Sequence, residues 1–126
     1  TTTGSYTFYL AADDDAELWL STTANPANKV LIASVSGWTN YLQYSKYASQ
    51  TSAAISLTAG NYYYIEALHK EAAGGDHCTV AWQGPGISQN IITSANLVTA
   101  PPVPLPAPGA FNLSAPANAA TGVSLT

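Results

Sequence analysis

Polar and apolar residues alternate along most of this chain, and glycine, proline or asparagine interrupts the alternation at short intervals. Residues 6–11, 54–58 and 78–83 each carry an apolar or aromatic side chain at every second position. A period of two matches a β-strand, in which successive side chains point to opposite faces of a sheet. No long segment repeats its apolar residues at helical spacing. The pattern therefore predicts an all-β domain of short antiparallel strands.

The charge content excludes two classes of partner. Charged residues make up only 8% of the chain, and the net charge is −4 with three lysines and no arginine. Proteins that bind nucleic acid or anionic lipid carry clustered basic residues, so we expect neither partner. There is no apolar run near 18 residues, and we expect no membrane insertion. Polarity supplied by Ser, Thr, Asn and Tyr favours a secreted or cell-surface protein. Because the lone Cys78 allows no intramolecular disulfide, a bacterial origin fits better than an animal one.

The carboxylates are concentrated in two short stretches. One contains Asp13, Asp14, Asp15 and Glu17, and the other contains Glu66, Glu71 and Asp76. Hard cations such as Ca²⁺ need several oxygen ligands that converge on one point. The distribution suggests a cation site if the two stretches meet in space. The alternative is that residues 13–15 and 74–76 form ordinary polar turns.

Composition changes at residue 100, which predicts a domain boundary. Five of the eight residues from 101 to 108 are proline, a content typical of a stiff, extended linker. We therefore expect a domain over residues 1–99, a linker over residues 100–110, and the first strand of a following β-sandwich over residues 111–126.

Several segments resemble the PA14 domain family, and they occur in family order over residues 4–86. The segment Gly-Ser-Tyr-Thr-Phe-Tyr-Leu-Ala-Ala-Asp-Asp at residues 4–14 is similar to the family pattern G-x-Y-T-F-x-L-x-S-D-D. Residues 17–20, 60–66, 68–71, 74–77 and 80–86 continue the match. The resemblance implies an antiparallel β-sandwich or barrel that lacks the strands usually leading into this segment. Those strands were either removed or are supplied by another chain. Residues 116–124 are similar to the entry of a fibronectin-type or immunoglobulin-like domain.

The resemblance also implies a calcium site. In sugar-binding family members, paired aspartates joined by a cis peptide hold Ca²⁺, and the corresponding residues are Asp13 and Asp14. The glycine-rich loop would add backbone carbonyls at Gly74 and Gly75 and the carboxylate of Asp76. Water or vicinal sugar hydroxyls would complete the shell of six to eight oxygens. The expected carbohydrate contacts are Asp13, Asp14, Asp76, His77 and Trp38.

Aromatic side chains have two possible roles. Trp38 and the tyrosines of residues 36–52 can stack on a sugar or pack within the loop. Trp19 and Trp82 are expected in the core, and so is Cys78, which has no catalytic companion. Glu66 lies within a strand pattern and needs a tyrosine hydroxyl or a lysine as its partner if it is buried.

Two functions are compatible with these features. The first is a non-catalytic module that binds carbohydrate through Ca²⁺. The second is a structural spacer or assembly unit of an extracellular fibre or multidomain adhesin, with strands shared between chains. An enzyme is not expected, because Glu66 and Glu71 are five residues apart on one strand and face opposite sides. The sequence leaves open which sugar binds and whether calcium is structural or bridges to the ligand.

Overall fold

The computed structural model describes residues 1–100, which form two antiparallel sheets. The strands are β1 (Gly4–Asp13), β2 (Asp15–Ser21), β3 (Lys29–Val35), β4 (Ile55–Leu57), β5 (Ile65–Lys70), β6 (His77–Gly84) and β7 (Ile87–Ile91). The first sheet has the order β4-β1-β6-β7 and the second has the order β3-β2-β5. The predicted all-β sandwich is confirmed.

Outside the strands, the described residues contain only short 3₁₀ turns, at Pro26–Asn28, Ala48–Gln50 and Ser94–Asn96. None of the helical segments within residues 1–100 is long and apolar enough to cross a membrane. The predicted linker beyond residue 100 and the predicted following strand at 111–126 lie outside the described residues.

β1 is the central strand of the fold and is covered on both faces. On its inner face, Tyr6, Phe8 and Leu10 are buried and pack against the second sheet and Trp82. On its outer face, Ala11 is fully buried. The connection from β3 to β4, residues 36–54, covers this outer face, where the ring of Tyr44 meets Tyr9 with centroids 6.1 Å apart. The alternation over residues 6–11 therefore belongs to a strand that is buried on both faces in its second half.

Polar side chains from this connection complete the second edge of β1. β1 pairs with β6 from Thr7 to Asp13, whereas β4 covers the opposite edge only from Gly4 to Tyr6. Beyond that point the partners on this edge come from the connection between β3 and β4. The N–H groups of Ser52 and Thr39 donate to the carbonyls of Phe8 and Ala12 at 2.9 and 2.8 Å, and three buried side chains supply further partners. The Ser52 hydroxyl accepts from the Phe8 N–H at 2.9 Å, the Gln50 amide donates to the Leu10 carbonyl at 2.8 Å, and the Thr39 hydroxyl accepts from the Ala12 N–H at 3.1 Å.

The structure corrects two packing predictions and confirms a third. Trp82 is buried in the core, as expected. Trp19 instead lies on the outer face of β2, because Leu18 and Leu20 occupy the inner face. Cys78 is exposed, although it is paired with the buried Ala12 in β1. The exposed position of Cys78 follows from an open flank of the sandwich.

The open flank lies between β5 and the first half of β6. Ala67 is paired with Leu18, which is fully buried, so the two side chains share the inner face of the second sheet. Ala67 and its neighbour His69 on that face are nevertheless exposed. In the described residues, β5 pairs with β2 alone, so its other edge has no strand partner. We call this region, Ala67, His69 and Cys78 with the free edge of β5, the open flank.

Glu66 has both of the partners that the sequence required. Its Oε2 accepts from the ammonium of Lys29 and from the hydroxyl of Tyr64, each at 2.6 Å, on the outer face of the second sheet. The hydrogen bond from Lys29, and secondarily the one from Tyr64, lowers the pKa of Glu66. The same bond raises the pKa of Lys29. The pair therefore joins the two outer strands of this sheet across β2.

We expect Gln50→Ala to lower the free energy of unfolding by about 1–3 kcal/mol, because it leaves buried backbone groups without partners. Gln50 donates to the carbonyls of Leu10 and Gln43 and accepts from the N–H of Tyr47. Chemical denaturation followed by tryptophan fluorescence measures the change. Gln89→Ala, at an exposed position of β7, is the matched control and should change stability by less than about 0.5 kcal/mol. Equal effects of the two variants would contradict this account of β1.

We expect Glu66→Gln to lower the melting temperature at pH 7 and to have a smaller effect near pH 3. Because the folded-state pKa of Glu66 lies below its ordinary value of 4.5, its ionised form stabilises the fold above that pH. This contribution is lost as the pH falls through the lower, folded-state pKa. Thermal melts followed by circular dichroism at several pH values measure it, with the exposed Glu71→Gln as the control. A difference in melting temperature that does not change with pH would refute the prediction.

Candidate functional site

The predicted site lies at the end of the sandwich where β1 turns into β2. Asp13 is the last residue of β1, Asp14 forms the turn, and Asp15 begins β2. The peptide bond between Asp13 and Asp14 is cis, as the resemblance implies. The backbone of Asp13 is held on both sides, because it pairs with His77 of β6 and forms an isolated bridge with Trp38. The turn is therefore anchored between two other segments of the chain.

Trp38, Asp13 and His77 form a row across the first sheet. Directly paired residues of antiparallel strands present their side chains to the same face, so the Asp13 carboxylate stands between the indole and the imidazole. Trp38 is 51% exposed and Tyr41 is 63% exposed. Tyr41 also packs edge-on against His77, with ring centroids 5.8 Å apart. Three aromatic rings thus belong to this row or pack against it, and Tyr41 is one of the loop tyrosines for which the sequence allowed either sugar stacking or loop packing.

The two acidic stretches meet at this turn. Oδ2 of Asp14 accepts from the N–H of Ala72 at 3.0 Å. Nε2 of His69 lies 2.7 Å from the carbonyl oxygen of Asp13 and must carry the proton there, because a carbonyl can only accept. Asp76 directly precedes His77, the partner of Asp13, so it lies close to the turn. The contact expected from the distribution of carboxylates is therefore present.

The other acidic residues near the turn have separate partners. Oδ1 of Asp15 accepts from the Gly37 N–H at 2.6 Å, and Oδ2 lies 3.9 Å from the ammonium of Lys70. Oε2 of Glu17 accepts from the indole N–H of Trp19 at 3.0 Å on the outer face of β2. These contacts direct both side chains away from Asp13, so they do not contribute to the predicted ligand set.

The glycine-rich loop between β5 and β6 is exposed. Gly74 has a φ of +116°, a backbone conformation that favours glycine over other residues, and an added Cβ would meet nothing within 4 Å. Gly75 is equally open. The loop backbone is therefore accessible to a ligand or ion beside Asp76.

The carboxylates near the turn are the residue type that hard cations bind. Within residues 1–100, no group of three or more His, Cys, Asp or Glu side chains is arranged to hold a metal ion. The carboxylates of Asp13, Asp14 and Asp76 lie in neighbouring turns, and no hydrogen bond to Asp13 or Asp76 carboxylate oxygens is found among these residues. Their chemistry, all oxygen donors, fits a hard cation. The calcium site stays a prediction.

One buried polar atom at the site has no partner. Nε2 of His77 is buried and makes no hydrogen bond to the described residues. Buried polar atoms are nearly always hydrogen-bonded, and each one that is not costs about 1–3 kcal/mol. A polar ligand group at this position would remove that cost.

Comparison with known proteins relates the chain to one family. A family model described as the PA14 domain matches residues 1–96. A curated relative is the N-acetyl-beta-glucosaminyl-glycoprotein 4-beta-N-acetylgalactosaminyltransferase 1 of Mus musculus, which is 40% identical over 101 residues. The match covers 75% of this chain and 10% of the mouse protein, so the chain spans about a tenth of that relative. No solved structure matches the chain significantly.

Proposed function

The chain belongs to the PA14 domain family, and from this membership and the site geometry we propose that it is a glycan-binding module that holds its ligand through Ca²⁺ at the Asp13–Asp14 turn. The observation that carries the proposal is the row Trp38–Asp13–His77, which places a carboxylate between aromatic rings. Sugars need both features, because hydroxyls pair with charged oxygens or a cation while the C–H faces of the ring pack on aromatic surfaces.

The donor set favours calcium over softer metals. Asp13, Asp14 and Asp76 offer carboxylate oxygens, and Gly74 and Gly75 offer backbone carbonyls. Oδ2 of Asp14 is bound by the Ala72 N–H, which fixes the carboxylate and leaves Oδ1 to face a ligand. A shell of six to eight oxygens would still require water or vicinal hydroxyls of a sugar. This shortage of protein ligands leaves positions at which the ion would bridge to a sugar.

The aromatic rim supports the same proposal. The ammonium of Lys46 lies 3.4 Å from the centroid of the Trp38 ring and donates to the Trp38 carbonyl at 2.7 Å. These contacts cover one face of the indole and hold the ring in place. Tyr41 remains largely exposed, and Nε2 of His77 needs a polar partner.

The comparisons indicate which sugars to use as probes. The name of the mouse relative refers to N-acetylglucosaminyl glycoprotein and to N-acetylgalactosamine, so these two sugars are the first choices. The matched segment is only a tenth of that transferase, and we propose a binding role without catalysis for this chain. PA14 domains are typically extracellular, and we propose the same location here. Bacterial origin stays a prediction.

We expect Asp14→Asn to weaken calcium binding by more than about tenfold, since even partners outside the metal shell change affinity by about 10–100-fold. Calorimetric titration of CaCl₂, followed by N-acetylglucosamine or N-acetylgalactosamine, measures both steps. Asp15→Asn is the matched control, because the Asp15 carboxylate is directed to Gly37 and Lys70, and it should retain calcium binding.

The possible outcomes separate the parts of the proposal. Calcium heat that is followed by no sugar heat would make the ion structural. Sugar binding that persists in excess chelator would contradict a calcium-bridged ligand. A wild-type protein that gives no heat with calcium would refute the cation site and leave residues 13–15 and 74–76 as ordinary turns.

A second candidate function, assembly through shared strands, is favoured by the open flank. Ala67 and Cys78 face the inside of the sandwich and are exposed, and the outer edge of β5 has no strand partner among the described residues. Unpaired edges with apolar neighbours are templates for an added strand. We propose that a strand from a neighbouring chain can pair along β5 and cover these residues.

We expect light scattering coupled to size-exclusion chromatography to show oligomers whose population rises with protein concentration. Ala67→Lys should abolish them, because an inward-pointing charge on an edge strand prevents strand addition. Gln89→Lys places the same charge on β7, the edge of the other sheet, and should have no effect. A protein that remains monomeric at millimolar concentration would exclude this candidate.

A further inference from the structure

A groove opens between the two sheets at the end of the sandwich opposite the Asp13–Asp14 turn. Its volume is about 520 Å³, and ligand-binding clefts typically measure about 300–1,000 Å³. Core side chains of both sheets, among them Phe8 and Leu20, line its interior. Leu57 also lines it and pairs with Gly4, the first residue of β1, whereas the turn follows the last residue of that strand. The groove is therefore separate from the candidate calcium site.

The lining of the groove is aromatic and apolar. It includes the three consecutive tyrosines Tyr62–Tyr64 and residues 95–100, and none of the described side chains that line it is charged at neutral pH. Tyr62 is 44% exposed, and Leu97 and Val98 are 48% and 59% exposed. A charged ligand group would lose its hydration in such a groove without gaining a partner. The lining therefore favours an uncharged ligand with apolar surface.

The groove also offers hydrogen-bond donors. The hydroxyl of Tyr63 accepts from the Thr58 N–H at 2.9 Å, so its own O–H can donate to a ligand. The side-chain amide of Asn96 lines the groove as well. Carbonyl oxygens on a ligand would accept from these groups. The groove therefore matches a ligand that combines apolar rings or methyl groups with carbonyl acceptors.

The sequence that follows the last lining residue has this chemistry. Ala100 lines the groove, and residues 101–108 have the sequence Pro-Pro-Val-Pro-Leu-Pro-Ala-Pro, which carries no charge. Proline has no N–H, so such a segment has more carbonyl acceptors than donors. Proline-rich segments in a polyproline II helix are recognised in aromatic-lined grooves. At about 3.1 Å per residue, five residues extend about 16 Å from Ala100, which is enough to follow the groove.

We propose that this groove binds residues 101–108 of the same chain in a polyproline II conformation. The segment is joined directly to a lining residue, so its effective concentration at the groove is about millimolar or higher, and a weak interaction is sufficient. Pro102, Leu105 and Pro108 recur at the three-residue repeat of this helix and would present one apolar face to the tyrosines. Docking would fix the direction in which the chain leaves the domain.

The experiment measures the backbone order of residues 101–108 by NMR relaxation in the full chain. The segment has three backbone N–H groups, those of Val103, Leu105 and Ala107. Their order parameters should be about 0.85, the value of a rigid backbone. Tyr62→Ala removes the most exposed tyrosine of the groove and should lower them below about 0.6, the range of a flexible backbone. Tyr41→Ala, at an exposed tyrosine outside the groove, is the matched control and should leave them unchanged.

A second variant changes the segment rather than the groove. Leu105→Asp would place a charge against the uncharged lining and should also lower the order parameters below about 0.6. In the wild-type protein, nuclear Overhauser contacts should join the Leu105 methyl groups to the Tyr62 ring. In a mixture of isotope-labelled and unlabelled chains, these contacts should occur within one chain and not between chains.

Three results would overturn the proposal. The first is a set of order parameters below about 0.6 in the wild-type protein. The second is high values that persist in both Tyr62→Ala and Leu105→Asp, because the order would then have another origin. The third is contacts between labelled and unlabelled chains, which would assign the groove to a second copy. None of these measurements involves calcium or sugar, so their failure would leave the proposed function untouched.

Discussion

The fold depends on satisfying the backbone of β1 along an edge that β4 covers only from Gly4 to Tyr6. A buried N–H or C=O without a partner destabilises a protein by an amount comparable to a lost hydrogen bond. From Phe8 to Ala12 the partners are the backbone N–H groups of Ser52 and Thr39 and the buried side chains of Ser52, Gln50 and Thr39. The connection from β3 to β4 is therefore fixed against β1 near both of its ends. This arrangement places Trp38 beside Asp13. The same connecting segment therefore stabilises the core and shapes the site.

The three consecutive aspartates have identical side chains but contact different parts of the fold. Asp13 ends a strand and projects between two paired neighbours on the first sheet. Asp14 is directed to the β5–β6 connection, and Asp15 to the backbone of Gly37. Because the chain passes from one sheet to the other within these residues, each carboxylate meets a different segment. The Asp15 carboxylate is directed to Gly37 and Lys70, which is why the same substitution at Asp14 and at Asp15 is expected to have different effects on calcium binding.

Local patterns are sufficient to predict the strands and the acidic turn. The packing of the loops and of individual aromatic side chains depends on contacts between residues far apart in sequence. The alternation over residues 6–11 and the turn at Asp13–Asp14 are properties of neighbouring residues. The burial of Gln50 depends on Leu10, which is 40 residues away in sequence, and no periodicity reveals that contact. For the same reason, Tyr41 was not distinguished from the other tyrosines of its loop. The sequence predicts Trp19 in the core. In the structure, however, the leucines on either side of it take the inner face of β2.

A strand added to the free edge of β5 would act on the candidate site as well as on the open flank. It would form hydrogen bonds in the plane of the sheet and would cover the inward-facing Ala67. It would also stiffen an edge that, among the described residues, is held only by β2. Since Lys70 and Ala72 lie at the end of this strand, beside Asp15 and Asp14, a stiffer β5 would hold the carboxylates of the turn more firmly. Assembly and glycan binding would then reinforce each other.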